Sequence, residues 1–558
     1  MSGAIMAAVI PTLVGQAPPP SPSTTTPCVV QPAKVTGLCT AARSLHIPVQ
    51  YRYIMPELIL VGGALVILAL YALLPKRSRP LLWVSSTVLT GFASLAWSFW
   101  LWHEVDDKHS ALIVGNALAF DGYTVFFMVL VSSAIILSAF AADSYLRREG
   151  LVGPEFYVLA LLSGSGAMIM AEANDLLVIF LGLEILSIAL YVLAGYHRRR
   201  TESGEAAMKY FLLGAFSSAI FLYGVALVYG ATGSTRLDEI ARFLAQNHLP
   251  KSMLLAAVAL LILGLAFKVA AVPFHTWTPD VYQGSPTPAT GFMAAVAKAG
   301  GFAALIRVLL SAFPTMRLDW RPIIWVLAVL TLLVGSVLAI VQVDVKRMLA
   351  YSSISHAGYV LVAVQAASSN GRAAALFYLL TYAFMVIGSF AVVSVIGGKG
   401  EARNDLGAYR GLASRRPGLA ITFTVLLLAQ AGVPFTTGFL AKFYVVSAAV
   451  QQHQYALAVI AMLAAATAAF FYLRIAILMY SPTEASASSG SSGSSGSSES
   501  GRVFSFGGLA VATPPETRRI LIPAGIAITL AVSVAFTIAF GIVPAPVIAF
   551  ARRAMLLF

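Results

Sequence analysis

The sequence predicts an all-α polytopic membrane protein with about fourteen transmembrane helices. Three observations carry that prediction. Of 558 residues, 59% are hydrophobic and 11% charged, and mean hydropathy is +0.84; soluble domains carry about 25% charged residues. The apolar runs reach the ~20 residues that a helix needs to cross a bilayer. Most of them lack the strict alternation of barrel strands, so helices satisfy their backbones in lipid.

Taken in order, residues 1–54 form a Pro/Ser/Thr-rich extension. Its start, MSGAIMAAVIPTLVGQAPPP, lacks the basic segment of a signal peptide. Three spans follow within 55–150, at 55–74, 80–102 and 118–142. Five lie within 151–320, at 156–172, 175–196, 208–230, 252–272 and 287–313. Five more lie within 321–481, at 322–343, 350–367, 373–397, an interrupted 419–449 and 455–480. Residues 482–518, with the run ASASSGSSGSSGSSESG, are a flexible Ser/Gly-rich loop by composition. A last span, 520–546, sits within 519–558.

Lys and Arg set the orientation. Nineteen of the 36 lie on the loops that begin at 75, 143, 197, 344, 398 and 481. Twelve lie on the opposite side, which holds both termini. The first side is expected in the cytoplasm and both termini outside. The formal charge of +13 therefore reflects membrane topology and does not point to nucleic acid. Cys28 and Cys39 fall on the outward side, where a disulfide persists; two free thiols in a tail are the alternative.

A short motif recurs inside two spans: AVPFHT at 271–276 and GVPFTT at 432–437. Pro273 and Pro434 break the seventh and twelfth helices. Each break has a lysine beside it, Lys268 before the first and Lys442 after the second. An odd helix offset reverses direction, so the pattern predicts two inverted five-helix repeats with broken helices near the midplane.

Five cations and one acid lie inside the spans, and each needs a reason, because a charge at the bilayer centre costs ~2.5–3.5 kcal/mol on insertion scales. Glu184 is deep in the fifth span; it pairs with a lysine of another helix or stays neutral in the core. Lys298 in the eighth has small neighbours, Ala297, Ala299, Gly300 and Gly301, which admit a helix or water. Carbonyls freed by Pro273 must face water or protein, and the resulting polar pocket can solvate Lys268. Moving a carboxylate toward or away from such a lysine loads or releases a proton. His275 and His356 can add stations, although His356, beside Ser352, Ser353 and Ser355, fits a packing role equally. Arg307 and Arg474 are expected to snorkel to the surfaces. Asp344, Lys346 and Arg347 are expected to form a solvated cluster at a helix boundary. The chain has no phosphate loop, Rossmann fingerprint or cysteine cluster, and no metal site is expected. Energy for proton movement then comes from an ion gradient or a partner.

The stretch LGLAFKVAAVPFHTWTPDVYQGSPTPATGFMAAVAKAGG resembles the antiporter-like membrane subunits of respiratory complex I and of Mrp-type cation/proton antiporters. PDVYQGSPTP and the lysine of VAKAGG resemble the family's N-type branch; its L and M types carry patterns closer to PDAMEGPTPVSALIHAA. DVKRMLAYSSISHAGYVLV and AGVPFTTGFLAKF fit the same branch, and the resemblance spans about 55–480. It implies that Glu184 is the family's glutamate of the fifth helix and Lys268 its partner. It further implies that Lys298 connects the two halves and that Lys442 faces the exit. It implies a bacterial plasma-membrane subunit that moves protons, next to other antiporter-like and small K/J-type subunits in the lipid bilayer. NADH, FMN, iron–sulfur clusters and quinone are then expected in other subunits, with none bound here. The alternatives are a subunit of an Mrp-type antiporter, or of a hydrogenase or photosynthetic relative with another electron donor.

Overall fold

Apolar runs with few charges dictate helix throughout, and the chain folds accordingly. The structure, a computed structural model, describes residues 49–74, 80–105, 110–247, 251–482 and 522–558. Cys28, Cys39 and most of the Ser/Gly-rich loop lie outside the described residues.

The first helices are α1 Met55–Leu73, α2 Pro80–Glu104, α3 Gly122–Glu149, α4 Glu155–Glu172, α5 Leu176–Ala194 and α6 Thr201–Thr232. A short polar α7, Leu237–Gln246, precedes α8 Lys251–Val269 and α9 Trp277–Gly284, the two halves of the first broken span. Next come α10 Thr287–Ala312, α11 Arg317–Ile340, α12 Val345–Gln365 and α13 Ser369–Gly397. The second broken span is α14 Pro417–Ala431 with α15 Thr437–Gln451, followed by α16 Tyr455–Tyr480, α17 Ala524–Ile542 and α18 Ala545–Arg553. Eleven of these helices are long and apolar enough to cross a membrane. With α4, α12 and the interrupted α14/α15, they fill the fourteen expected segments. A two-stranded hairpin, Ala111–Ile113 with Leu118–Phe120, leads into α3.

Burial sorts the helices. α3, α10 and α13 are enclosed almost along their length, whereas α1, α2 and α17 keep wide apolar faces uncovered. Enclosed helices need polar groups to find partners inside the protein, because no water or headgroup reaches them. One rim of the bundle gathers residues near 149, 200, 280, 344 and 401 through Arg148, Arg200, Lys346 and Arg347. The other rim gathers residues near 121, 174, 236 and the last residues of the chain.

Candidate functional site

The first break begins where α8 closes on itself. Ala270 takes a left-handed φ of 61°, and the Ala271 amide reaches back to the Ala266 carbonyl at 2.9 Å, a Schellman-type ending. The Phe267 carbonyl accepts both the Ala270 amide at 3.0 Å and the Trp277 indole N–H at 3.1 Å, and the Val272 amide donates to Thr331 Oγ1 at 2.9 Å. Protein groups, then, close this break. Lys268 is buried beside it and donates to Ser187 Oγ (2.7 Å) and Tyr210 Oη (3.2 Å). Its ammonium also lies 5.2 Å from the Tyr210 ring centre. Ser187 accepts from the lysine while its own proton goes to the Leu183 carbonyl, and the Tyr210 hydroxyl can accept from an ammonium or donate to an amine.

Lys298 follows a π-helical turn, Met293–Ala297, in α10; such turns recur at functional sites. Its ammonium donates to the Ser353 carbonyl and to Ser353 Oγ of α12. Next to it, a Cβ on Gly301 would press on Val269 and on the Lys268 side chain, so α8 and α10 meet there with no room to spare. Tyr282 of α9 lies 3.5 Å from Ser353 Oγ and packs edge-on against Trp277, which stacks on Tyr210. Aromatic and hydroxyl groups thereby link the surroundings of Lys268 and Lys298.

His356, one turn along α12, is buried and bonded to Tyr378 Oη at 2.6 Å and Tyr472 Oη at 3.0 Å. Tyr472 also holds Ser352. Both Lys298 and Lys442 are within electrostatic reach of the imidazole.

At the second break Gly432 takes a φ of 95°, and the Val433 amide reaches back to the Leu428 carbonyl at 3.0 Å. Lys442, from the second turn of α15, donates to the freed Ala431 carbonyl at 2.7 Å and lies 5.0 Å from the Tyr359 ring centre. Tyr359 stacks on Tyr378. A Cβ on Gly432 would come within 3.0 Å of the Lys442 stem, so glycine both takes the backbone turn and leaves space for the lysine.

Lys268, Lys298, His356 and Lys442 thus lie along one buried polar line. Glu184 stands at its edge. It is within electrostatic reach of Lys268 but forms no ion pair with it, and Oε1 has no hydrogen-bond partner. The carboxylate side of α5 is half-exposed, next to the uncovered Leu181, Ile185 and Ile188. His275 is also half-exposed, in the first break, and its Nδ1 has no partner; it is not brought to the line. Pro273 and Pro434 both sit in the non-helical stretches as expected.

Two expectations are corrected, those for Arg307 and for the 344–347 cluster. Arg307 does not snorkel: it is 1% exposed and grips Asp121 with two nitrogens at 2.9 and 3.0 Å, with Thr124 and the Ala171 carbonyl completing its fork. Arg474 is half-buried and donates to the Ile340 carbonyl at 3.1 Å, where α11 ends with unpaired carbonyls, so it stays at a helix end as expected for a snorkelling side chain. The 344–347 cluster is not simply solvated. Lys346 is fully buried on Glu401 and the Ser285 carbonyl, while Asp344 caps α12 and Arg347 reaches Asp280.

Glu401 is the hub of that rim. It takes Arg200, Lys346 and both the amide and hydroxyl of Thr287. Burial alone raises its carboxyl, but Lys346, Thr287 and Arg200 outweigh burial and hold it at about 2. A cavity of about 450 Å³ opens on this rim, lined by Arg200, Glu205, Lys209, Asp280, Gln283 and Glu401. Sequence reasoning missed this hub, because Arg200, Thr287, Lys346 and Glu401 come from four separate segments. It also missed the tyrosines, whose apolar rings blend into apolar spans. Among the described residues, no group of three His, Cys, Asp or Glu could hold a metal ion. The arrangement suits proton transfer between lysines, hydroxyls and an imidazole.

Comparison with known proteins adds the following. The family described as NADH:quinone oxidoreductase/Mrp antiporter, TM matches residues 173–467. A subunit N of NADH-quinone oxidoreductase from Trichlorobacter lovleyi is 41% identical over 505 residues, covering 90% of this chain and 96% of that protein. A chain of respiratory complex I from Thermus thermophilus superposes with a TM-score of 0.70 at 32% identity, over 89% of this chain and 99% of that one. A chain of the Mrp complex from Dietzia sp. superposes at 0.76 with 22% identity, over 90% of this chain and 96% of that one, a likeness of fold.

Proposed function

The chain belongs to the subunit N family of the NADH-quinone oxidoreductases, and from that premise we propose how it works. It is a membrane-embedded subunit of that oxidoreductase, coupling electron transfer in the complex to proton translocation. The Mrp-type alternative has less support, since the 22% likeness carries fold alone.

Protons move along the buried line Lys268–Lys298–His356–Lys442, with Glu184 setting the charge next to Lys268. The observation that carries this is the meeting of three buried lysines from three helices with hydroxyls and one imidazole, and no direct carboxylate partner. A proton reaching Lys268 passes through water between the Tyr210 hydroxyl and the Tyr282 and Ser353 hydroxyls toward Lys298. His356 stands between Lys298 and Lys442, and Lys442 hands the proton onward at the second break. Glu184 faces an uncovered helix side, so the charge of a neighbouring subunit can act on it. His275 belongs outside this path. The basic rim faces the cytoplasm of a bacterial plasma membrane and both termini face outward. NADH, FMN, iron–sulfur clusters and quinone are held by other subunits, and the neighbours are antiporter-like and small K/J-type subunits.

NADH-driven acidification of inverted membrane vesicles tests this, with NADH oxidation followed in parallel. Lys268→Ala is expected to lower both together. If both stay at wild-type rates, Lys268 is outside the energy-transducing path, and sodium-dependent proton exchange becomes the assay of choice.

A further inference from the structure

Two acids at the outward rim take no part in the line of lysines. Glu57 lies in the first turn of α1 and Glu172 ends α4, and these helices pack along each other. Glu57 is 5% exposed and Glu172 is 2% exposed. Neither carboxyl oxygen of Glu57 has a hydrogen-bond partner, nor has Oε2 of Glu172. The two side chains are within electrostatic reach of each other.

Their surroundings offer little compensation. Arg307 of α10 and Asp121 at the head of α3 are in reach of Glu172, but the two hold each other through paired bonds. Tyr123 of α3 donates to the Ala303 carbonyl, and Arg372 of α13 acts on Tyr123 and Asp121. From α2, Ser94 bonds the Pro56 carbonyl and Ser132, and Glu104 pairs with Arg52. Two ionised carboxylates without a counter-cation are costly in such a site. Neighbouring carboxylates relieve the cost by sharing a proton, the protonated one donating to the other.

We propose that Glu57 and Glu172 form a proton-holding site at the outward rim of the chain's first half, sharing one exchangeable proton. A proton arriving from inside binds the free carboxylate, and one carboxyl O–H then gives its proton to water at the rim; no other bond changes. The release role rests on the proton-moving function proposed above, whereas the shared proton rests on this geometry alone.

Infrared difference spectra of the intact complex in lipid nanodiscs, recorded across pH in H₂O and D₂O, provide the test. The wild type is expected to show a titrating carboxylic C=O band that shifts in D₂O. Glu57→Gln and Glu172→Gln should each abolish it. In either variant an amide facing a carboxylate reproduces the neutral–anionic pair, so assembly should persist. NADH-driven acidification should fall severalfold in both. If one variant fails to assemble, the other still decides. A band retained in both variants overturns the site. So does loss of the wild-type band on adding sodium at fixed pH, which marks a cation site. If Lys268→Ala pumps normally while the band persists and disappears with either glutamine, the lysine path fails and the shared proton stands.

Discussion

Lysine and arginine divide the buried work between them. Arg307 ends on a carboxylate and the three line lysines end on hydroxyls and carbonyls. An arginine keeps its charge under all conditions in a protein and so serves as a fixed strut; a lysine can give its proton up. Hydroxyl partners fit that role because they accept from an ammonium and donate to an amine. Tyr472 matters in the same way, since it holds both Ser352 and His356. Tyr472→Phe is expected to slow NADH-driven acidification by about fivefold or more, the kinetic equivalent of ~1 kcal/mol for the lost bond to His356, with the bond to Ser352 lost beside it. Vesicles matched for complex content measure this, and an unchanged rate removes Tyr472 from the path.

The two broken spans place lysines by different means. In the first, Lys268 precedes the break and side chains of neighbouring helices bond backbone groups there. In the second, Lys442 follows the break and takes the freed carbonyl itself. Ala270 occupies a left-handed turn that glycine occupies at lower cost. Ala270→Gly should therefore stabilise the chain by about 1 kcal/mol, and Gly432→Ala should destabilise it by at least as much. Thermal unfolding of the purified variants gives both signs, and a lower melting temperature for Ala270→Gly contradicts the argument. The repeated AVPFHT and GVPFTT made both breaks legible in the sequence, as the long apolar runs made the helices. Arg307 was misjudged because its partner Asp121 lies 186 residues earlier in the chain, and sequence distance hides such a pair. The inward turn of His356 toward two tyrosines was equally invisible, because helix periodicity gives a residue's face and not its partner.

At the scale of the whole molecule, the line of lysines runs between helices that meet at the Glu401 rim and at the Arg307–Asp121 rim. Glu401 ties α10, α12 and the start of α6 to the loop after α13. Its carboxyl stands at about 2 in the folded chain against an ordinary 4.5. The stability it supplies is whole above about pH 4.5 and is lost as the pH falls toward 2. Glu401→Gln strands Lys346 and Arg200 and should cost ~3–5 kcal/mol near neutral pH. It should also remove this residue's share of the acid limb in a pH series of melting temperatures. A variant that melts with the wild type at pH 7 would falsify the hub. The central claim is that Lys298 gives and takes a proton and is more than a fixed charge, and Lys298→Arg tests it most directly, since arginine keeps the charge and cannot release a proton. In inverted vesicles with matched amounts of assembled complex, NADH-driven acidification by Lys298→Arg should fall about tenfold or more, in line with the ~10²–10⁴ of a lost acid–base group. Acidification at the wild-type rate would contradict the account, leaving Lys298 as a static charge.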